Sequence, residues 1–195
     1  MKQLILLIIA ISGMQLLSCN RNNNEVFGDI NTLPKIEIDH YDFFESRYKY
    51  TTVCLDCTDM NPIPVITSNG IHYYSNDSIN EKYIYFTLLD KYDDLYKVVV
   101  VDGDLLDSLD IGYITPNVPL TIFPAGVPPL RLYQEPDSSA NSVVDPIDDR
   151  PYDQMKVIDF KGRWLKVVIP IDNNRAITGW LSPSQQCSNV YSTCS

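Results

Sequence analysis

Apolar and polar positions alternate most clearly between residues 155 and 181. The chain there reads Met-Lys-Val-Ile-Asp-Phe-Lys-Gly-Arg-Trp-Leu-Lys-Val-Val-Ile, then a polar loop over 170–175, then Ala-Ile-Thr-Gly-Trp-Leu. Two β-branched runs flank a turn at 160–163 and predict a tight hairpin. Period-two alternation puts Trp164, Lys166 and Val168 on one face and Leu165, Val167 and Ile169 on the other. The wholly apolar set is expected in a core, leaving Trp164 and Lys166 half-exposed. Gly179-Trp180-Leu181 reads as the next short strand, its glycine admitting close approach of another backbone.

The same pattern occurs earlier in the chain. Residues 88–100 align without gaps with 157–169, and Asp90, Lys97, Val98 and Val99 match Asp159, Lys166, Val167 and Val168. Gly112-Tyr113-Ile114 stands where Gly179-Trp180-Leu181 stands, and Ile-His-Tyr-Tyr-Ser at 71–75 is matched to Leu-Arg-Leu-Tyr-Gln at 130–134. Leu95 and Tyr113 occupy the positions of Trp164 and Trp180, so the first copy departs from the second. The second copy carries extra residues, assigned to the acidic, proline-rich loop 145–151. Between the copies, the apolar run 118–126 is expected to be a strand shared at their interface. Upstream, 35–40 alternates like a strand, 41–48 reads as a helical turn or an aromatic strand, and 61–64 is an extended or turn element.

Trp-Leu-Lys-Val at 164–167, a loop, and Gly-Trp-Leu at 179–181, with Leu-Arg-Leu-Tyr-Gln-Glu-Pro at 130–136 before them, resemble the bacterial SH3 family of small β-barrels. The likeness covers 130–183, roughly a quarter of the chain. It implies an all-β fold of two SH3-like barrels in tandem, 62–117 and 118–183. It also implies a binding or positioning role rather than catalysis, through exposed aromatics. These are Tyr133, Trp164 and Trp180 in the second copy, and Tyr74 or its neighbour Tyr73, Tyr96 and Tyr113 in the first. Lys166 shares the face of Trp164 and is expected to pair with a carboxylate of a wall peptide.

At the N-terminus, Lys2 precedes an apolar run over 4–11, far short of the ~20 residues of a membrane-spanning helix. Ser18 stands directly before Cys19, which resembles a bacterial lipoprotein signal. By that resemblance the leader 1–18 is removed and the Cys19 thiol is diacylated. Each buried methylene adds ~0.8 kcal/mol, so two or three chains anchor stably. The polar stretch after Cys19 reads as a tether and, with its lead-in, runs to residue 61. The expectation is a protein held by lipid on a membrane of the bacterial cell envelope, on its periplasmic or surface side.

Charge narrows the partners. The whole chain carries a net charge of −10, and without Lys2 there are 14 basic against 25 acidic side chains, near −11. That argues against nucleic acid, and against electrostatic attraction to anionic lipid or anionic wall polymers.

Besides Cys19 the chain has Cys54, Cys57, Cys187 and Cys194, an even number in an exported protein, and disulfides are expected. Cys187–Cys194 would clip the tail 184–195 and Cys54–Cys57 would form a local bridge, with the crossed Cys54–Cys187 pairing open. A metal half-site and a redox pair are the alternatives at Cys54-Leu-Asp-Cys57. A four-thiolate site needs two such pairs, and redox chemistry needs the start of a helix in a βαβ unit.

Neither His40 nor His72 lies near a nucleophile in sequence, and no carboxylates are placed as acid and base. Asp56 with Asp59, and Asp102 with Asp104, read as surface turns rather than a calcium loop. No enzyme, metal or cofactor is expected. The leading expectation is a lipid-anchored module binding wall peptide, glycan or an envelope protein. The alternative is a structural or assembly subunit of an envelope complex with no small ligand, and a redox factor using Cys54 and Cys57 is the third reading.

Overall fold

The chain divides into two compact units, Met1–Pro34 and Lys35–Ser195. The computed structural model describes residues 33, 41, 43–46, 48–56, 58, 61–77, 82–103, 105, 107–125, 130–143, 154–172 and 175–187. The expected leader, Cys19, the start of the tether, Cys57, Cys194 and the loop 145–151 lie outside them.

The second unit is all-β. A single helical turn, Phe43–Ser46, leads into β1 (Thr51–Leu55), β2 (Ile63–Thr67), β3 (Gly70–Tyr74), β4 (Ile84–Tyr92), β5 (Leu95–Asp102) and β6 (Ser108–Ile114). Then come β7 (Leu120–Pro124), β8 (Leu132–Tyr133), β9 (Met155–Lys161), β10 (Trp164–Asp172), β11 (Arg175–Leu181), a 3₁₀ turn at Pro183–Gln185, and β12 (Gln186–Cys187). The strands form one antiparallel sheet whose hydrogen-bonded path is open, in the order β3-β2-β6-β5-β4-β1-β7-β9-β10-β11-β8, with β12 joined to β7.

The same pairings occur twice along that path. In the first repeat β1 pairs β4, β4 pairs β5, β5 pairs β6, and β6 pairs β2. In the second, β7 pairs β9, β9 pairs β10, β10 pairs β11, and β11 pairs β8. Register agrees residue for residue with the ungapped alignment. Tyr92 opposes Leu95 as Lys161 opposes Trp164, and Asp90 opposes Lys97 as Asp159 opposes Lys166. The register then shifts by one residue in both hairpins, leaving Leu89 and Ile158 as β-bulges at equivalent positions. Both turns also place a residue in the left-handed region, Asp93 at φ 49° and Gly162 at φ 57°.

Two glycines recur for one reason. A β-carbon on Gly112 would lie 2.5 Å from Ile66 O, and one on Gly179 would lie 2.8 Å from Leu132 Cβ. Each glycine lets the strand before its hairpin cross tightly over β6 or β11. That pairing sets Ile66 against Tyr113 and Tyr133 against Trp180. The counterpart of Tyr133 is therefore Ile66 on β2, not Tyr74 on β3 as the sequence match had it.

The repeats join through their first strands. β1 and β7 are antiparallel, with Cys54 opposite Thr121 and Leu55 opposite Leu120, and the far end of the same edge of β7 receives β12. Strand β7 thus serves both repeats, as expected of the apolar run 118–126. β1 lies upstream of 62–117, inside the lead-in. Thr51 Oγ1 donates to Arg163 O at 2.9 Å and Gln186 Nε2 donates to the same oxygen at 2.8 Å, tying β1 to the second hairpin and β12.

One apolar cluster runs through both repeats, from Val53, Leu55, Phe86, Val98 and Val100 to Leu120, Ile122, Leu132, Leu165, Val167 and Leu181. Leu165, Val167 and Ile169 are 0, 0 and 3% exposed, as their parity predicts. Each such buried side chain contributes about 1.5–3 kcal/mol relative to exposure. The opposite face of β1, β4 and β5 holds a smaller cluster of Cys54, Tyr85, Val99 and Val101, against which Tyr41 packs. Buried Asn76 ties strand ends together: its Nδ2 donates to Asp56 O at 3.0 Å, and its Oδ1 accepts from Ile84 N at 2.9 Å.

Candidate functional site

Three aromatic rings and one ammonium converge on the outer face of the second repeat. Lys166 on β10 opposes Trp180 on β11, which opposes Tyr133 on β8. Residues paired across antiparallel strands share a face, so these three stand side by side, with Trp164 two residues before Lys166 on the same face. The rings of Tyr133 and Trp164 meet edge to face, 5.4 Å between centroids at 88°. Lys166 Nζ stands 5.9 Å from the centre of the Trp180 ring. All four side chains are partly exposed, because β10 turns its apolar residues to the core and this set away from it. Such a surface offers rigid ring faces and a cation held by π-electron density, the chemistry of a site for an apolar ligand bearing negative charge.

Asp159, the carboxylate directly opposite Lys166, is engaged elsewhere. Its Oδ1 accepts from Phe160 N at 2.8 Å and forms an ion pair with Lys91 of the first repeat. Lys91 Nζ also lies 5.1 Å from the Phe160 ring centre and 5.8 Å from that of Tyr96.

The first repeat does not reproduce this face, and two expectations about it are corrected. Tyr96 is 6% exposed and belongs to the core. It occupies the register of Leu165, its ring meets Phe160 edge to face at 5.1 Å, and its hydroxyl donates to Ile158 O at 3.1 Å. Burial first, then the negative charge of Asp159, push its hydroxyl up to about 12. Tyr113 takes the place of Trp180 but is 2% exposed, with the ring of Tyr92 6.2 Å from its own. Burial is the main cause that raises its pKa. With Leu95 where Trp164 stands and buried Ile66 where Tyr133 stands, that face lacks the open ring cluster of the second repeat.

Tyr74 is not part of that face. Its hydroxyl donates to Asp110 Oδ2 at 2.6 Å, and burial followed by this bond and the Asp110 charge raises its pKa. His72 Nδ1 meets the same carboxylate oxygen. Asp110 thus clamps β3 to β6 beside a shallow groove of about 280 Å³ lined by Ser68, Ser108, Leu109, Asp110 and Ile111. Sequence reasoning missed Asp110: it lies 36 residues from Tyr74 and 38 from His72, and no local pattern marks it.

Cys54 corrects another expectation. It is a buried thiol at the centre of β1, its Sγ 3.3 Å from Thr121 O and 3.2 Å from Thr121 Oγ1, and not half of a disulfide. Its parity turns it into the smaller core, against β7. Cys187 is buried on β12. Asp56 Oδ1 accepts from Thr58 N at 2.9 Å, and Asp102 Oδ1 accepts from Leu105 N at 3.1 Å, while Asp59 and Asp104 lie outside the described residues. Among the described residues no three His, Cys, Asp or Glu side chains are grouped to hold a metal ion.

No protein-family model, curated protein or solved structure matches the chain.

Proposed function

We propose that this chain is a binding module of the bacterial cell envelope, lipid-anchored through Cys19, which holds a wall component or peptide on the Tyr133–Trp164–Lys166–Trp180 face. The observation that carries the reading is the difference between the repeats. The same register that assembles three partly exposed rings beside Lys166 in the second buries or replaces the counterparts of those rings in the first, where Lys97 alone is kept. A half-exposed aromatic cluster desolvates readily, and such rings dominate the energy of recognition surfaces.

The two repeats are, in this reading, tandem SH3-like barrels. In support, each runs a first strand, a crossing segment and a three-strand meander. The second adds a 3₁₀ turn and a last short strand that returns to the first. In the first repeat β7 itself supplies that returning strand.

The test is retention of the purified full-length chain on peptidoglycan sacculi, with Trp164→Ala alongside. Retention lost in the variant, with its melting curve unchanged, supports the reading. Retention equal in the two proteins contradicts it. No retention of the wild type removes the wall as ligand and moves the question to crosslinking for a protein partner in intact envelopes.

A further inference from the structure

We propose that the open face of the second repeat takes an acidic peptide segment in extended conformation. Its carboxylates engage Lys156, Lys161 and Lys166, and its apolar side chains lie against Trp164 and Trp180. This rests on the reading that the face is a binding surface and names the chemistry of what it binds.

The register carries the argument. Lys161 on β9 opposes Trp164, and Lys156 opposes Val168, so both lysines share the face of Trp164, Lys166 and Val168. Lys156 and Lys161 are exposed and Lys166 is partly so. None of the three ammoniums has an ion-pair partner among the described residues, and Asp159, the carboxylate on this face, is occupied by Lys91. Three positive charges therefore flank two indole rings on a chain whose net charge is −10.

The patch does not follow from the shared architecture. In the first repeat the corresponding positions hold Thr87, which is buried, Tyr92 and Lys97, a single cation in place of three. Lys156 and Lys161 are five residues apart along β9. At about 3.3 Å per residue they span roughly 17 Å at most, the reach of about five residues of extended chain. An extended peptide with acidic and apolar side chains in alternation meets both the ammoniums and the rings. A nucleic acid, longer and more densely charged than such a segment, would extend beyond the three lysines and meet more of the repulsion of the whole molecule.

Trp164 and Trp180 are the chain's two tryptophans, so emission excited at the red edge, where tyrosine does not absorb, reports this face. The experiment titrates the full-length chain with a synthetic peptide of alternating Glu and Leu, with the same peptide carrying Gln for Glu, and with an oligogalacturonate. The Glu peptide is expected to give a saturable emission change that weakens several-fold from ~50 to ~200 mM salt. Each of Lys156→Gln, Lys161→Gln and Lys166→Gln should weaken binding about two- to fivefold, and the triple variant at least tenfold. These variants change exposed side chains, and unaltered circular dichroism verifies their folding.

Equal binding of the Gln peptide or the oligogalacturonate, or a triple variant that binds like the wild type, overturns the inference. If the Glu peptide leaves emission unchanged while retention on sacculi still depends on Trp164, the acidic-peptide inference falls and the binding reading stands. If neither retention nor emission responds, both fall.

Discussion

Tyr96 and Trp164 lie one alignment position apart, yet one is sealed in the core and the other opens to solvent. Parity decides it. Tyr96 takes the register of Leu165, facing Phe160, whereas Trp164 takes that of Leu95 on the outer face. The alternation that placed Leu165, Val167 and Ile169 correctly carried the same information for Tyr96, but aromatic character outweighed parity in choosing groove residues. Tyr113 was illegible for another reason, since its outward parity is that of Trp180 and yet it is buried. The buried hydroxyl of Tyr96 makes a prediction. Below pH 10 it is protonated in folded and unfolded chains alike, and its contribution to stability is whole. Above pH 10 the unfolded chain ionises first, so stability falls as pH rises toward about 12. Ultraviolet titration of tyrosinate should show a late component, shared with Tyr74 and Tyr113, that Tyr96→Phe diminishes by one tyrosine. A titration unchanged by the substitution would contradict the placement of Tyr96.

The hairpin is the element in which sequence and structure correspond most closely. The alignment of 88–100 with 157–169 pairs two hairpins that share register, bulges at Leu89 and Ile158, and left-handed turn positions Asp93 and Gly162. Strand β1 was not legible. Val53, Cys54 and Leu55 are all fully buried because both faces of the sheet are covered there, so no alternation marks the strand. β8 was legible in part, and its match to 71–75 rather than β2 came from aligning tyrosines instead of the crossing that Gly112 permits. The two turns differ in cost at the same conformation. Asp tolerates the left-handed region at some expense and Gly adopts it freely. Asp93→Gly should therefore raise stability and Gly162→Ala lower it, each by about 1 kcal/mol, read from urea unfolding. Effects of the same sign at both turns would contradict the equivalence.

Across the whole second unit, the repeats share a strand, a core and an ion pair. β7 completes both, Tyr96 meets Phe160, and Lys91 reaches Asp159. The main core belongs to neither repeat alone. Unfolding should then be a single transition. Both tryptophans report the second repeat, and far-ultraviolet circular dichroism reports the two together, so coincident curves are expected. Separate transitions would mean that the repeats fold independently. Ile122→Ala, at a position fully buried in the shared strand, should lower the common transition by about 2–5 kcal/mol.

Shared architecture with unlike outer faces is the basis of the functional reading, and equivalent positions test it. Trp164 and Leu95 occupy the same register in the two hairpins, so alanine there removes a ring of the open cluster in one repeat and an aliphatic side chain in the other. The deciding measurement is retention of Trp164→Ala and Leu95→Ala on peptidoglycan sacculi beside the wild type. Loss confined to Trp164→Ala is the predicted result. Equal retention of the two variants, whether both are kept or both lost, would contradict a binding face carried by the second repeat.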